Sequence, residues 1–157
     1  MNISYLIVFL VSMVPIIELR GAIPIAIMRY GLPVVPSFVV CIIGNMLPVP
    51  IIYLFARKVL EWGKDKKFIG KFFTFCLEKG KKGGDKLKAK AGKGLFLALL
   101  LFVGIPLPGT GAWTGTLAAS ILDMEFKPTI LAAMLGVLLA GVIMLTVSLM
   151  GFNIFIK

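Results

Sequence analysis

Apolar residues run almost unbroken from Ile3 to Met28, yet the middle of that run, Met13 to Pro24, holds two prolines, a glycine and the charges Glu18 and Arg20. Prolines at both edges of the charged pair oppose one smooth helix, because each removes a backbone donor and crowds the preceding turn. The pattern predicts a helix break. Ile3 to Val14 is twelve residues long, about 18 Å as helix against a hydrocarbon core of about 30 Å. Ala22 to Tyr30 is shorter still. Either one kinked span runs from Ile3 to Met28, or a re-entrant hairpin enters, turns at the break and comes back.

Gly31 to Pro36 reads as a surface turn, and Pro36 opens a full span over Ser37 to Ala56. Pro48 and Pro50 interrupt it, so a kink is expected there. Asn45, beside the kink, is a buried polar side chain that either bonds a neighbouring helix or lines a pathway. Leu95 to Val103 is again too short to cross, and it ends in a second Gly/Pro-rich break, Gly104 to Gly115. Thr116 to Leu122 forms the return. Asp123, Glu125 and Lys127 make a solvated turn, and Pro128 opens the last span, Thr129 to about Phe152. Ala132, Gly136 and Ala140 repeat at helical spacing, a stripe for close helix packing.

The two halves match. A shift of 92 residues lays Pro36, Ser37 and Gly44 on Pro128, Thr129 and Gly136, and a shift of 90 lays Gly21-Ala22 on Gly111-Ala112. Each half reads as broken hairpin, turn, then proline-opened span: repeat 1 over 1–57, repeat 2 over 95–157, one membrane domain in all. If the breaks are re-entrant, each half crosses once and the halves are inverted, with both termini outside. If they are kinks, four spans put both termini inside. The expected fold class is therefore an all-α integral membrane protein of two inverted repeats, each a re-entrant hairpin plus one transmembrane helix.

Composition supports the membrane assignment: 59% of residues are hydrophobic, 15% are charged and the mean hydropathy is +1.02. The net charge of +10 does not indicate nucleic acid, because 13 of the 17 Lys and Arg lie between Arg57 and Lys93. A basic block between apolar spans reads as a cytoplasmic loop, here 58–94, facing anionic lipid. Within it Phe68, Phe72, Phe75 and Cys76 recur at helical spacing among lysines, predicting an interfacial amphipathic helix. There is no histidine, and Cys41 and Cys76 lie in different environments, so neither a disulfide, a metal nor a cofactor is expected. Residues 1–14 lack a basic leader and no cleavage pattern follows, so no cleaved signal peptide is expected.

Ionisable residues at membrane depth are costly and mark function by default. In the hairpin reading the returning half-helices begin near Gly21 and Gly111, so their positive ends point into the membrane and favour an anion. Arg20 adds to that field, and Glu18 opposes it until protonated. Thr110, Thr114 and the Trp113 N–H add neutral donors. The plainer alternatives are a structural Glu18–Arg20 ion pair, threonines capping loose backbone and a tryptophan that anchors or packs.

Glu18-Leu-Arg-Gly-Ala-Ile-Pro24, the basic linker and Ile105-Pro-Leu-Pro-Gly-Thr-Gly-Ala-Trp-Thr-Gly115 resemble the putative small multi-drug export protein family over nearly the whole chain. That family is distantly similar to the DedA membrane proteins, which carry two re-entrant hairpins and are associated with lipid movement. The resemblance implies a multi-pass protein of a prokaryotic plasma membrane, with Glu18 and Arg20 in one hairpin tip and Pro106 to Thr110 in the other. The DedA pattern has arginines around its second hairpin, whereas Gly104 to Gly115 has none.

The leading expectation is a proton-coupled exporter of a small lipophilic or amphipathic substrate, held between the tips by Glu18, Arg20, Gly21, Asn45, Pro106, Thr110, Gly111, Trp113 and Thr114. The alternative is a translocase of an anionic lipid such as undecaprenyl phosphate. A third possibility is an interaction protein acting through the basic segment. Expected partners are membrane lipid, the drug or lipid substrate and a second copy in a homodimer. An intramembrane enzyme is not expected, because Glu18 is the only acid placed in a span and general acid–base work would want a second group.

Overall fold

The computed structural model describes residues 3–66, 70, 71, 74, 78, 94–107 and 109–155. The apolar stripe of the expected linker helix, Phe68, Phe72, Phe75 and Cys76, lies outside them. Every regular element among the described residues is a helix.

Helix α1 (Ile3–Met13) is followed by a reversal at Val14 to Ile17 and then by α2 (Glu18–Pro24). The reversal uses left-handed backbone at Ile16 (φ 77°) and Glu18 (φ 50°). For a β-branched residue such as Ile16 that conformation is strained. Sequence reading started the return near Gly21, but the structure starts it at Glu18, so both charges sit on a helical turn rather than in an unwound strand. Pro24 does not end this helix. It cannot donate to the carbonyl of Arg20, and the ladder slips into a π-helical turn, Ile25–Arg29, closed by Tyr30 N–H on Ile25 O at 3.2 Å. That turn packs back against α1, so the first element pair is a hairpin.

Helices α3 (Val34–Met46) and α4 (Pro48–Gly63) form one run of 30 residues with a mean hydropathy of 2.2 in its apolar window. The expected interruption is confined to Leu47, whose backbone stays helical (φ −59°, ψ −42°) and whose N–H still reaches Ile43 O at 3.0 Å.

The second half follows the same order. Helix α5 (Gly94–Gly104) leads to the Gly/Pro segment, and α6 (Ala112–Ile121) returns beside it. Gly115 makes the return close: a Cβ there would meet Val103 Cγ2 at 2.7 Å. Leu95 and Leu122, at the far ends of the pair, line one cavity. Helix α7 (Phe126–Phe155) contains a 26-residue apolar stretch, Phe126–Gly151. Both long helices thus begin two residues before the prolines expected to open them. At 11 residues each, α1 and α5 span only about 16 Å and are too short to cross a bilayer.

The small-residue stripe of α7 is buried: Ala132, Ala133, Gly136, Val137 and Ala140 face the interior. Gly136 abuts α5, where a Cβ would meet Leu100 O and Val103 Cβ at 2.7 Å. The opposite faces carry exposed Ile51, Phe55, Leu131, Val142 and Met150. Two helices are thus long and apolar enough to cross a membrane, and they carry apolar side chains on their outer faces.

Candidate functional site

The reversal that opens α2 aims Glu18 at the other half of the molecule. Its side chain is buried (3% exposed), and its carboxylate accepts the backbone N–H of Trp113 at 3.1 Å and of Ala112 at 3.3 Å. These are unpaired donors of the first turn of α6. A carboxylate there is stabilised both by the hydrogen bonds and by the positive end of the helix. Gly111 (φ 142°) makes room, since any Cβ would collide with both carboxylate oxygens.

Arg20, two residues further on, is half-buried and reaches the end of α5. Its Nη1 donates to Leu107 O at 2.6 Å and Thr110 O at 2.7 Å, and its Nη2 donates to Val103 O at 3.2 Å and Ile105 O at 3.3 Å. A guanidinium has five N–H donors, and four of them are engaged by main-chain carbonyls. A cation at the negative end of α5 is again the favourable sign.

Glu18 and Arg20 are therefore not primarily partners of each other. The ion pair considered from sequence gives way to a cross-over: the acid caps the start of one half-helix of the second hairpin, and the base caps the end of the other. The second hairpin reciprocates, because the Trp113 indole N–H donates to Met13 O at the end of α1, at 3.2 Å. Thr110 closes its own loop, donating from Oγ1 to Leu107 O at 2.9 Å and Ile105 O at 3.0 Å.

The remaining expected residues divide. Pro106 lies half-buried in the segment that Arg20 grips, and Gly21 packs against Ile17. Thr114 is exposed on α6. Asn45 is fully buried on α3, and neither polar atom of its amide has a hydrogen-bond partner. The Oγ1 of Thr116, also fully buried, is in the same condition. Sequence reading passed over Thr116 as part of an apolar return.

A second cluster joins the halves at the far ends of α4 and α6. Arg57 pairs with Asp123, which has left-handed backbone (φ 56°), and with Glu61 at 3.7 Å, while the Tyr53 hydroxyl donates to Met124 O. Asp123 is thus engaged rather than simply solvated. No sequence signal links residues 66 positions apart without the fold in hand. Among the described residues no group of His, Cys, Asp and Glu could hold a metal.

A family model described as putative small multi-drug export protein matches residues 18–143, from the capping acid to well inside α7. The chain belongs to that family. The match takes in both charged residues of the first tip and the whole of the second, so the cross-over lies inside the stretch shared with the export family. No curated protein and no solved structure matches the chain.

Proposed function

We propose that this protein is a proton-coupled membrane exporter of a small lipophilic or amphipathic molecule, worked by the contact between its two hairpin tips. The observation that carries this reading is the cross-over of Glu18 and Arg20 onto the half-helix ends of the second hairpin. In this reading both hairpins are re-entrant, the halves lie in opposite orientations, the basic loop is cytoplasmic and the termini are outside. Broken helices of inverted repeats, meeting near the midplane, are the recurring plan of secondary transporters.

The chemistry runs through the cap. Ionised Glu18 holds α6 by two charge-assisted hydrogen bonds, and protonation removes the charge that makes them strong. The tips are then free to part. A cavity of about 230 Å³ beside the tip, lined by Ile52, Phe55, Ala56, Val59, Trp113 and Leu117, offers an apolar berth for a lipophilic substrate. A substrate cation would compete with the α6 amides for Glu18, so substrate and proton exclude each other at one carboxylate. The family description supports export rather than enzymatic chemistry.

A second reading has its own support. The α6 amides already hold an anion, Glu18, and a lipid phosphate could take its place once the acid is protonated. Flux in proteoliposomes under an imposed pH gradient separates the two, using a lipophilic cation and a polyprenyl phosphate in parallel. The expected result is gradient-driven cation flux that Glu18→Gln and Arg20→Ala abolish. Unchanged fluxes of both probes in both variants would overturn the tip-to-tip site.

A further inference from the structure

The apolar helix α4 ends in a polar cavity. Ile51, Phe55 and Trp62 fall on one side of α4 by their spacing, and all three are exposed, Trp62 at 61%. An exposed tryptophan at the close of an apolar run sits at the depth of lipid headgroups. Lys66 folds back over it, with Nζ 4.4 Å from the centre of the Trp62 ring, a cation–π contact that ties the turn beyond Gly63 to the end of the helix.

The cavity at this turn measures about 420 Å³, within the range of about 300–1,000 Å³ for small-molecule clefts. Lys64 and Asp65 line it from the turn, and Lys71, Thr74 and Glu78 line it from helical residues that follow. Gly70 brings these two groups together. Its N–H donates to Lys66 O at 2.7 Å, and a Cβ there would meet Lys64 O at 2.5 Å.

The lining carries both signs. Lys66 is committed to Trp62, which leaves two ammonium groups, Lys64 and Lys71, and two carboxylates, Asp65 and Glu78, with the Thr74 hydroxyl as a neutral donor. Among the described residues neither lysine forms an ion pair with either acid. A simple anion would be repelled by the carboxylates, and a simple cation by the lysines. A ligand with a phosphate and an ammonium close together satisfies both, through charge-assisted hydrogen bonds at each end. At headgroup depth, beside an apolar stripe that acyl chains can cover, that chemistry comes from an aminophospholipid.

We propose that this cavity seats the headgroup of phosphatidylethanolamine, with Lys64 and Lys71 on the phosphate and Asp65 and Glu78 on the ammonium. The acyl chains lie along Ile51 and Phe55. The site rests on the membrane placement in the reading above and is independent of what the exporter moves.

Native mass spectrometry of the full chain released from detergent tests it, with phosphatidylethanolamine and phosphatidylglycerol of matched acyl chains as probes. The wild type should retain phosphatidylethanolamine in preference. Lys64→Gln/Lys71→Gln should lower that retention by about tenfold, the scale of one lost hydrogen bond to a charged group. Asp65→Asn/Glu78→Gln should erase the preference and let phosphatidylglycerol bind as well. All four side chains are exposed, so the Tm should hold; should a double variant fail to fold, Lys71→Gln and Glu78→Gln alone must move retention and preference in the same directions. Equal retention of the two lipids by the wild type, unchanged retention in the lysine variant or a preference surviving in the acid variant would overturn the proposal. Recovery of the chain in the soluble fraction without detergent would sink the membrane placement itself, and the site with it. Loss of headgroup selectivity in a folded, detergent-extracted chain would sink the site and leave the exporter reading standing.

Discussion

At the scale of single residues, Gly111 and Glu18 form a matched pair. The glycine's backbone (φ 142°) and missing Cβ admit the carboxylate to the start of α6. Gly111→Ala should cost about 1–3 kcal/mol for backbone strain alone, read as a lowered Tm in detergent. It should also push Glu18 off the Ala112 and Trp113 amides, so combining it with Glu18→Ala should cost less than the sum of the two, as contacting residues do. Glu18 and Arg20 stand out in the sequence, because charge inside an apolar run is conspicuous. Their partners do not. They are main-chain groups 83 to 95 residues away, and backbone amides carry no sequence signature. Thr116 was overlooked for a related reason: α6 carries hydroxyls at Thr114, Thr116 and Ser120, and the sequence does not say which of them the fold buries without a partner.

At the scale of helices, close approach of α5 and α7 depends on Gly136. Gly136→Leu should force them apart and destabilise by about 1–3 kcal/mol, as overpacking does, measurable by thermal denaturation. The small-residue stripe was readable from spacing alone, since periodicity reports a face directly. The Arg57–Asp123 contact was not, and its expected weight is modest. Both side chains are more than a third exposed (43% and 39%), so Asp123→Asn should cost only about 0–1 kcal/mol, less at high salt. The boundaries of the proline-bearing helices were missed because proline is tolerated anywhere in a first turn, where its missing N–H has no role. Pro24 sits inside the returning helix because a π-helical slip absorbs the lost bond.

At the scale of the whole molecule, each half places a short helix, a break and a return helix ahead of a long helix. Their mutual arrangement needed the contacts at the tips. Two hairpins and two long helices imply, in the proposed topology, an odd number of crossings per half. Cysteines placed at each terminus of a variant lacking Cys41 and Cys76 should therefore react with a membrane-impermeant maleimide added outside intact cells. Labelling only after permeabilisation would discard the inverted arrangement.

The exchange of caps between the hairpins also bears on how the chain is made. When residues 1–57 leave the ribosome, Glu18 and Arg20 must enter the membrane some 80 residues before the groups that neutralise their ends exist. Neither half has a finished tip alone. Expressed as separate polypeptides, the halves should be degraded singly and rescued together, with Glu18→Ala enough to prevent the rescue. Completion of the caps would thus act as a checkpoint that licenses the newborn protein.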